Sequence, residues 1–240
     1  MHFKNKRVLI TGGTSGIGKA FARVLSQKGA AVAVCARRQE ALKKLQSVIP
    51  GIVTISVDLS KKKEIACLKK ILQKEMGGID ILINNAGKMA QFDVSDGFPN
   101  RYENEIALNL NAPVELCRLF LPQLLKRDRT AIINVTSGYA LWPNKTSPLY
   151  CATKSALHFF TKSIRWQLEN STVKVIEVLP PLVKTPSAAK KGGMDPLVFA
   201  KKVISQIEDG KTEIKIAEVK ALSIFMRLTP FVIDRVLRKM

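Results

Sequence analysis

Tyr150 and Lys154 stand four residues apart in Tyr150-Cys-Ala-Thr-Lys154, and Ser137 lies upstream in Val135-Thr136-Ser137-Gly138. On a helix this spacing puts phenol and ammonium on one face, one turn apart. A free phenol titrates near pH 10, too high to exchange its proton readily at neutrality. A neighbouring ammonium favours the phenolate and lowers that value. Such a pair suits delivery of a proton to a carbonyl oxygen while hydride arrives at carbon, and a serine hydroxyl can hold the oxygen. A Tyr/Lys pair alone is common surface decoration, so its meaning depends on the elements that carry it.

Those elements alternate. Val8–Thr11, Ala31–Cys35, Ile52–Val57, Ile79–Ile83, Ala131–Val135 and Val173–Leu179 read as strands, with a later one at Thr212–Ile216. Between them lie helical periodicities at Ile17–Lys28, Gln39–Val48, Lys61–Glu75, Tyr102–Leu125 (interrupted near Pro113) and Leu149–Glu169. The strands are nearly continuous apolar runs, as expected when both sheet faces are covered. Strand–helix alternation predicts an α/β fold: a doubly wound parallel sheet of about seven strands, helices on both faces, in one domain spanning 1–240.

A glycine-rich turn, Thr11-Gly-Gly-Thr-Ser-Gly-Ile-Gly18, falls between the first strand and first helix. Gly12 permits a tight turn, Gly16 a close backbone approach to a pyrophosphate, and Gly18 close packing of helix on sheet. The helix N-terminus offers unpaired N–H groups to an anion. This T-G-x-x-x-G-x-G spacing resembles the short-chain dehydrogenase/reductase family, as do Asn84-Asn85-Ala86-Gly87 after the fourth strand and the Ser137/Tyr150/Lys154 set. The resemblance runs from about Arg7 to Thr185, with looser likeness beyond to bacterial oxidoreductases of the DltE-like kind. It implies cofactor contacts from Gly12, Thr14, Ser15, Gly16, Ile17 and Gly18; from Asp58 (to adenine) and Leu59; from Asn85, Ala86 and Gly87; and from Tyr150 and Lys154. It also implies that Pro180, Val183 and Thr185, in Leu179-Pro-Pro-Leu-Val-Lys-Thr185, hold the nicotinamide carboxamide. Asn109 matches the family asparagine that positions a water chain to the lysine, with Asn111 the nearby decoy. Two departures stand out. Pro181 replaces the usual glycine and removes an N–H, and Cys151 follows the tyrosine where smaller or hydroxylated residues are familiar.

About twenty residues past the glycine turn, an acidic side chain would take a ribose 2′-hydroxyl. Ala36 holds that place, followed by Arg37 and Arg38. Guanidinium groups there suit a phosphate, so NADP(H) is expected over NAD(H), with Arg37 the main contact. The rival reading is two solvated arginines opening a helix, where the dipole disfavours cations.

Thirty-nine Lys and Arg against nineteen Asp and Glu leave a net charge of +20. Such a field favours anionic partners, but the basic residues are scattered and no aromatic interleaving marks a nucleic-acid groove. The four cysteines form no CxxC or Cys/His cluster, so no metal or disulfide framework is expected. No signal core or eighteen-residue apolar run is seen. Reduced thiols in the cytoplasm are the expectation.

Substrate choice is expected from Lys88–Asn100, from Tyr139–Leu149 with Leu141 and Trp142 as apolar walls, and from the loop after Thr185. The segment 219–240 is a basic amphipathic tail. It fits packing on the core or on a second subunit (a homodimer or homotetramer), or peripheral contact with the inner membrane face. Three readings follow: an NADP(H)-dependent enzyme interconverting a small-molecule carbonyl and an alcohol, an NAD-dependent alcohol dehydrogenase, and a non-enzymatic anion- or membrane-binding relative.

Overall fold

A computed structural model of the chain describes residues 1–186, 192–216 and 218–228. Most of the loop after Thr185 and the last part of the predicted tail lie outside them. Seven parallel strands form one sheet in the order β3-β2-β1-β4-β5-β6-β7. They are β1 Arg7–Thr11, β2 Ala31–Ala36, β3 Val53–Ser56, β4 Ile81–Asn84, β5 Thr130–Val135, β6 Val173–Leu179 and β7 Glu213–Lys215. The helices are α1 Gly16–Gln27, α2 Gln39–Gln46, α3 Lys62–Met76, α4 Glu103–Ile106, α5 Ala112–Leu124, α6 Pro148–Gln167, α7 Pro196–Glu208 and α8 Glu218–Leu228.

Successive side chains of the central strands serve opposite layers, which is why these strands read as unbroken apolar runs. Val8, Ile10, Ile81 and Ile83 face α1, α2 and α7. Leu9, Leu82 and Ile132 face α3 and α5. Phe21 of α1 meets Phe199 of α7, ring centroids 6.2 Å apart.

Helix α7 had no counterpart in the periodicity reading, although its start is well marked. Asp195 accepts from the amides of Leu197 and Val198, and Pro196 fills the first turn. The expected interruption near Pro113 is a π-turn over Ala107–Asn111, between α4 and α5. Pro113 has no N–H for the carbonyl of Asn109 four residues back, so the wider turn absorbs the mismatch there. Part of the predicted tail is α8. Its residues Val219 and Leu222 pack with Trp142 and Leu179 at the carboxyl end of the sheet.

Candidate active site

The strand order reverses between β1 and β4, and a cleft of about 1040 Å³ opens at the carboxyl ends of the strands there. That is where open α/β sheets bind ligands.

One end of the cleft is the glycine turn. Gly12 has φ +65°, and a side chain on it would meet Ala86 Cα at 2.8 Å. A Cβ on Gly18 would lie 2.5 Å from both Asn85 Nδ2 and Gly12 O, so helix α1 lies against the strand ends as expected. Gly16 has φ +52°, and its Cβ would meet Thr185 Cγ2 at 2.8 Å. Conformation and the neighbouring 180–186 segment therefore demand glycine here whatever binds. Ser15 precedes α1 without a side-chain cap, and the first turn carries no acidic residue. The amides at this helix end are thus open to an anion.

Asn85 ties the second signature to this turn. Its Nδ2 donates to Thr11 O (3.0 Å) and Gly12 O (3.2 Å), while the amides of Asn85 and Ala86 both donate to Thr11 Oγ1 at 2.9 Å. Asn84 turns inward instead, donating to Asn134 Oδ1 at 2.8 Å. One asparagine of the pair thus shapes the cleft and the other pins the core.

Thr14, Ser15, Ile17, Leu59, Gly87, Pro180 and Val183 line the same cleft, as do Arg37 and Arg38. Both arginines are exposed, and Arg38 precedes the first turn of α2. Asp58 does not line it. Its Oδ1 accepts from Ser60 N (3.0 Å) and Ser60 Oγ (2.7 Å). Burial opposes its charge, but these bonds and the cations Arg37 and Lys61 hold the carboxyl below its usual range. Its neighbours Val57 and Leu59 stand in the wall, while Asp58 Oδ1 holds the turn into α3.

At the other end Ser137, Tyr150 and Lys154 all line the cleft. Ser137 Oγ accepts from the amide of Tyr139 at 3.2 Å. Tyr150 and Lys154 sit one turn apart on α6, the ammonium 5.7 Å from the ring centroid. Lys154 is buried and donates to Val135 O at 2.9 Å. The expected acidification of the phenol is not found in the polypeptide by itself. Burial pushes Tyr150 up to about 12, against a hydrogen bond with Ser137. Burial likewise draws Lys154 down to about 8, opposed by the Glu177 carboxylate.

Asn109 lies wholly buried behind the wall rather than in it. Its Oδ1 accepts from Lys88 N and its Nδ2 donates to Lys88 O, both at 2.8 Å, and to Thr153 Oγ1 at 3.1 Å. The π-turn aims this side chain at Gly87, where an added Cβ would sit 3.4 Å from Asn109 Oδ1 and 3.5 Å from Lys154 Nζ. Cys151 also has a local explanation, since its sulfur accepts from the Asn144 amide at 3.2 Å.

Beyond Tyr150 the walls are apolar. A Cβ on Gly138 would meet Trp142 Cζ2 at 2.9 Å and Val219 Cγ2 at 3.2 Å. Leu182, Leu222 and Phe225 extend this surface, with Lys88 and Lys145 also in the lining. Leu141 packs behind Trp142 instead of lining the cleft. Reading the chain missed α8 as a wall because its residues lie far from the catalytic signatures in sequence. Its apolar spacing was visible, but its docking place was not.

Fold and cleft define a nucleotide-binding α/β oxidoreductase. The short chain dehydrogenase family model matches residues 6–195, and the chain belongs to that family. An "Uncharacterized oxidoreductase DltE" of Bacillus subtilis is 36% identical over 232 residues, covering 92% of each chain. An uncharacterized oxidoreductase of Staphylococcus epidermidis is 33% identical over 184 residues, 76% of this chain and 80% of that protein. Among solved structures, a short chain dehydrogenase from Burkholderia cenocepacia J2315 in complex with NADP superposes with a TM-score of 0.88 at 24% identity, covering 99% of both chains. One from Burkholderia phymatum in complex with NAD gives 0.83 at 21%, covering 89% of both. These two establish the likeness of fold. No helix among the described residues is long and apolar enough to cross a membrane.

Proposed function

We propose that the protein interconverts a carbonyl and an alcohol with NADP(H), with Tyr150 as the acid/base group and an apolar substrate body lodged against α8. The observation that carries this reading is the convergence of Ser137, Tyr150 and Lys154 at one end of a cleft whose other end holds the glycine turn and two arginines.

The residues fit a dinucleotide. Gly12, Gly16 and Gly18 let the turn pack closely on Ala86, Thr185 and Asn85, and the uncapped start of α1 offers its amides to a pyrophosphate. Arg37 and Arg38 would take a 2′-phosphate; the NADP and NAD complexes of the two fold relatives leave either cofactor compatible with the fold. A bound nicotinamide supplies or accepts hydride at the substrate carbon. Ser137 Oγ, already accepting from Tyr139 N, keeps its proton for the substrate oxygen or the phenol. Tyr150 gives its proton to that oxygen in reduction and takes it back in oxidation. The ammonium of Lys154 stabilises the phenolate between these steps. Asn109 holds the Lys88 backbone in place beside Lys154 and fits the water-positioning role. Pro180, Val183 and Thr185 would edge the nicotinamide.

Exposed apolar side chains within a cleft favour an apolar ligand. Leu182 is 39% and Phe225 58% exposed beside buried Trp142. A panel of carbonyls of graded apolar size, followed by NADPH oxidation, tests the reading. Turnover should rise with apolar bulk and vanish in Tyr150→Phe while NADPH binding persists; retained turnover would exclude Tyr150 as proton donor.

A further inference from the structure

Directly under the cleft floor lies a buried polar cluster that the chemistry above does not use. Glu177 of β6 is fully buried. Its Oε1 accepts from Thr136 Oγ1 at 2.6 Å, and both carboxylate oxygens lie 2.9 Å from His158 Nδ1. A carboxylate withdrawn from water is costly unless its charge meets partners. Each contact of this one leads to the catalytic set. Thr136 is the residue between Ser137 and Val135, and Val135 O receives the Lys154 ammonium. His158 follows Lys154 by one turn of α6, on the same face.

We propose that Glu177 is a positioning residue for proton transfer: clamped by Thr136 and His158 beneath the cleft, it is the counter-charge that keeps Lys154 an ammonium. This rests on the reading that Lys154 supports the Tyr150 phenolate.

The surrounding charges favour this assignment. On β7, Glu213 is engaged by Lys215 Nζ at 2.6 Å and by Arg165 Nη1 of α6 at 3.9 Å, and Arg165 Nε donates to Val175 O. Those cations therefore belong to Glu213. Among the described residues, His158 is the one cation-capable group within ion-pair distance of Glu177. Among the described residues no carboxylate is ion-paired with Lys154, whose ammonium meets Val135 O on β5, and the influence of Glu177 on it is a longer-range one. Burial draws Lys154 down to about 8 with Glu177 opposing, so removing the carboxylate's charge would carry the lysine toward its neutral form near neutrality.

The test is the titration of Lys154 followed by NMR of labelled lysine side chains, assigned with Lys154→Arg. It requires no turnover. In folded Glu177→Gln the Lys154 midpoint should fall by about one pH unit, and the alkaline limb of the rate profile should move down with it. Glu177→Asp keeps the charge and should leave the midpoint near that of the unaltered protein, whatever it costs in thermal stability. An unmoved midpoint in Glu177→Gln, or an equal fall in both variants, would overturn the proposal and leave Glu177 a structural pin. If Glu177→Gln does not fold, Glu177→Asp decides alone: a fall of a full unit with the charge retained would refute it. A shifted midpoint in a protein that reduces no carbonyl would instead count against the proposed function.

Discussion

Replacing Arg37 by alanine should change which nicotinamide the protein prefers. Arg37 follows β2 at the cleft edge, where its exposed guanidinium has no carboxylate within ion-pair distance among the described residues. Its charge reaches Asp58, one of several influences that keep that carboxyl ionised. The backbone role of the position is separate, since Arg37 O accepts from Ser56 Oγ at 3.3 Å and alanine retains that carbonyl. A hydrogen bond to a charged group contributes about 1.5–3 kcal/mol, and about 1.4 kcal/mol is tenfold in affinity. Arg37→Ala should therefore weaken NADPH by about ten- to a hundredfold, toward the lower figure because Asp58 shares the charge. Arg38 begins α2 at its positive end, where a cation opposes the dipole. Adding Arg38→Ala should deepen the loss without weakening the helix. Titrating NADPH and NADH by fluorescence at fixed ionic strength measures both affinities, and NADH should change little. An unchanged NADPH-to-NADH ratio in the double variant would refute the phosphate assignment.

Three further outcomes follow from the same geometry. Gly18→Ala places a methyl 2.5 Å from Asn85 Nδ2 and Gly12 O; overpacking of this kind costs about 1–3 kcal/mol, so a lower melting temperature and lost NADPH binding are expected, and a stable variant that binds would contradict the packing role. Phe225→Ala removes cleft wall and should raise KM for bulky apolar carbonyls about five- to tenfold, on about 1–1.5 kcal/mol of lost burial, while small carbonyls are unaffected; equal changes for both would place the substrate elsewhere. Asp80 receives Arg7 Nη2 at 2.7 Å and Arg127 Nη1 at 3.0 Å. Burial opposes its charge, yet the arginine bonds hold it at about 2 against an ordinary 3.8. Its folded value is depressed, so its stabilisation is present above about pH 4 and is lost as pH falls through about 2. Asp80→Asn should cost on the order of 2 kcal/mol in urea unfolding at pH 7 and much less at pH 2.5, whereas a pH-independent cost would exclude the ion pairs as its source.

Much of the fold was legible because a doubly covered sheet writes its strands as apolar runs and its turns as glycines. The glycine turn, the asparagine pair and the Tyr/Lys spacing are local signals, and the structure brings them to one cleft. What was not legible depended on distant contacts. Helix α8 shows apolar spacing in sequence, but only packing on Trp142 and Leu179 makes it a wall. The bonds of Asp58 to Ser60 are a matter of turn geometry that no motif announces. The Tyr/Lys spacing shows the ammonium beside the phenol but not the burial, which is the larger influence on both. Glu177 and His158 gave no motif at all, since their meeting requires β6 to lie under α6.

The central claim is that hydride reaches a carbonyl carbon in this cleft while Tyr150 supplies the proton. Single-turnover reduction with NADPH deuterated at the transferring position, analysed by mass spectrometry of the alcohol, tests it most directly. One deuterium on the carbinol carbon with the unaltered protein, and none with a Tyr150→Phe variant that still binds NADPH, is the predicted result. Undiminished deuterium transfer in Tyr150→Phe would contradict it.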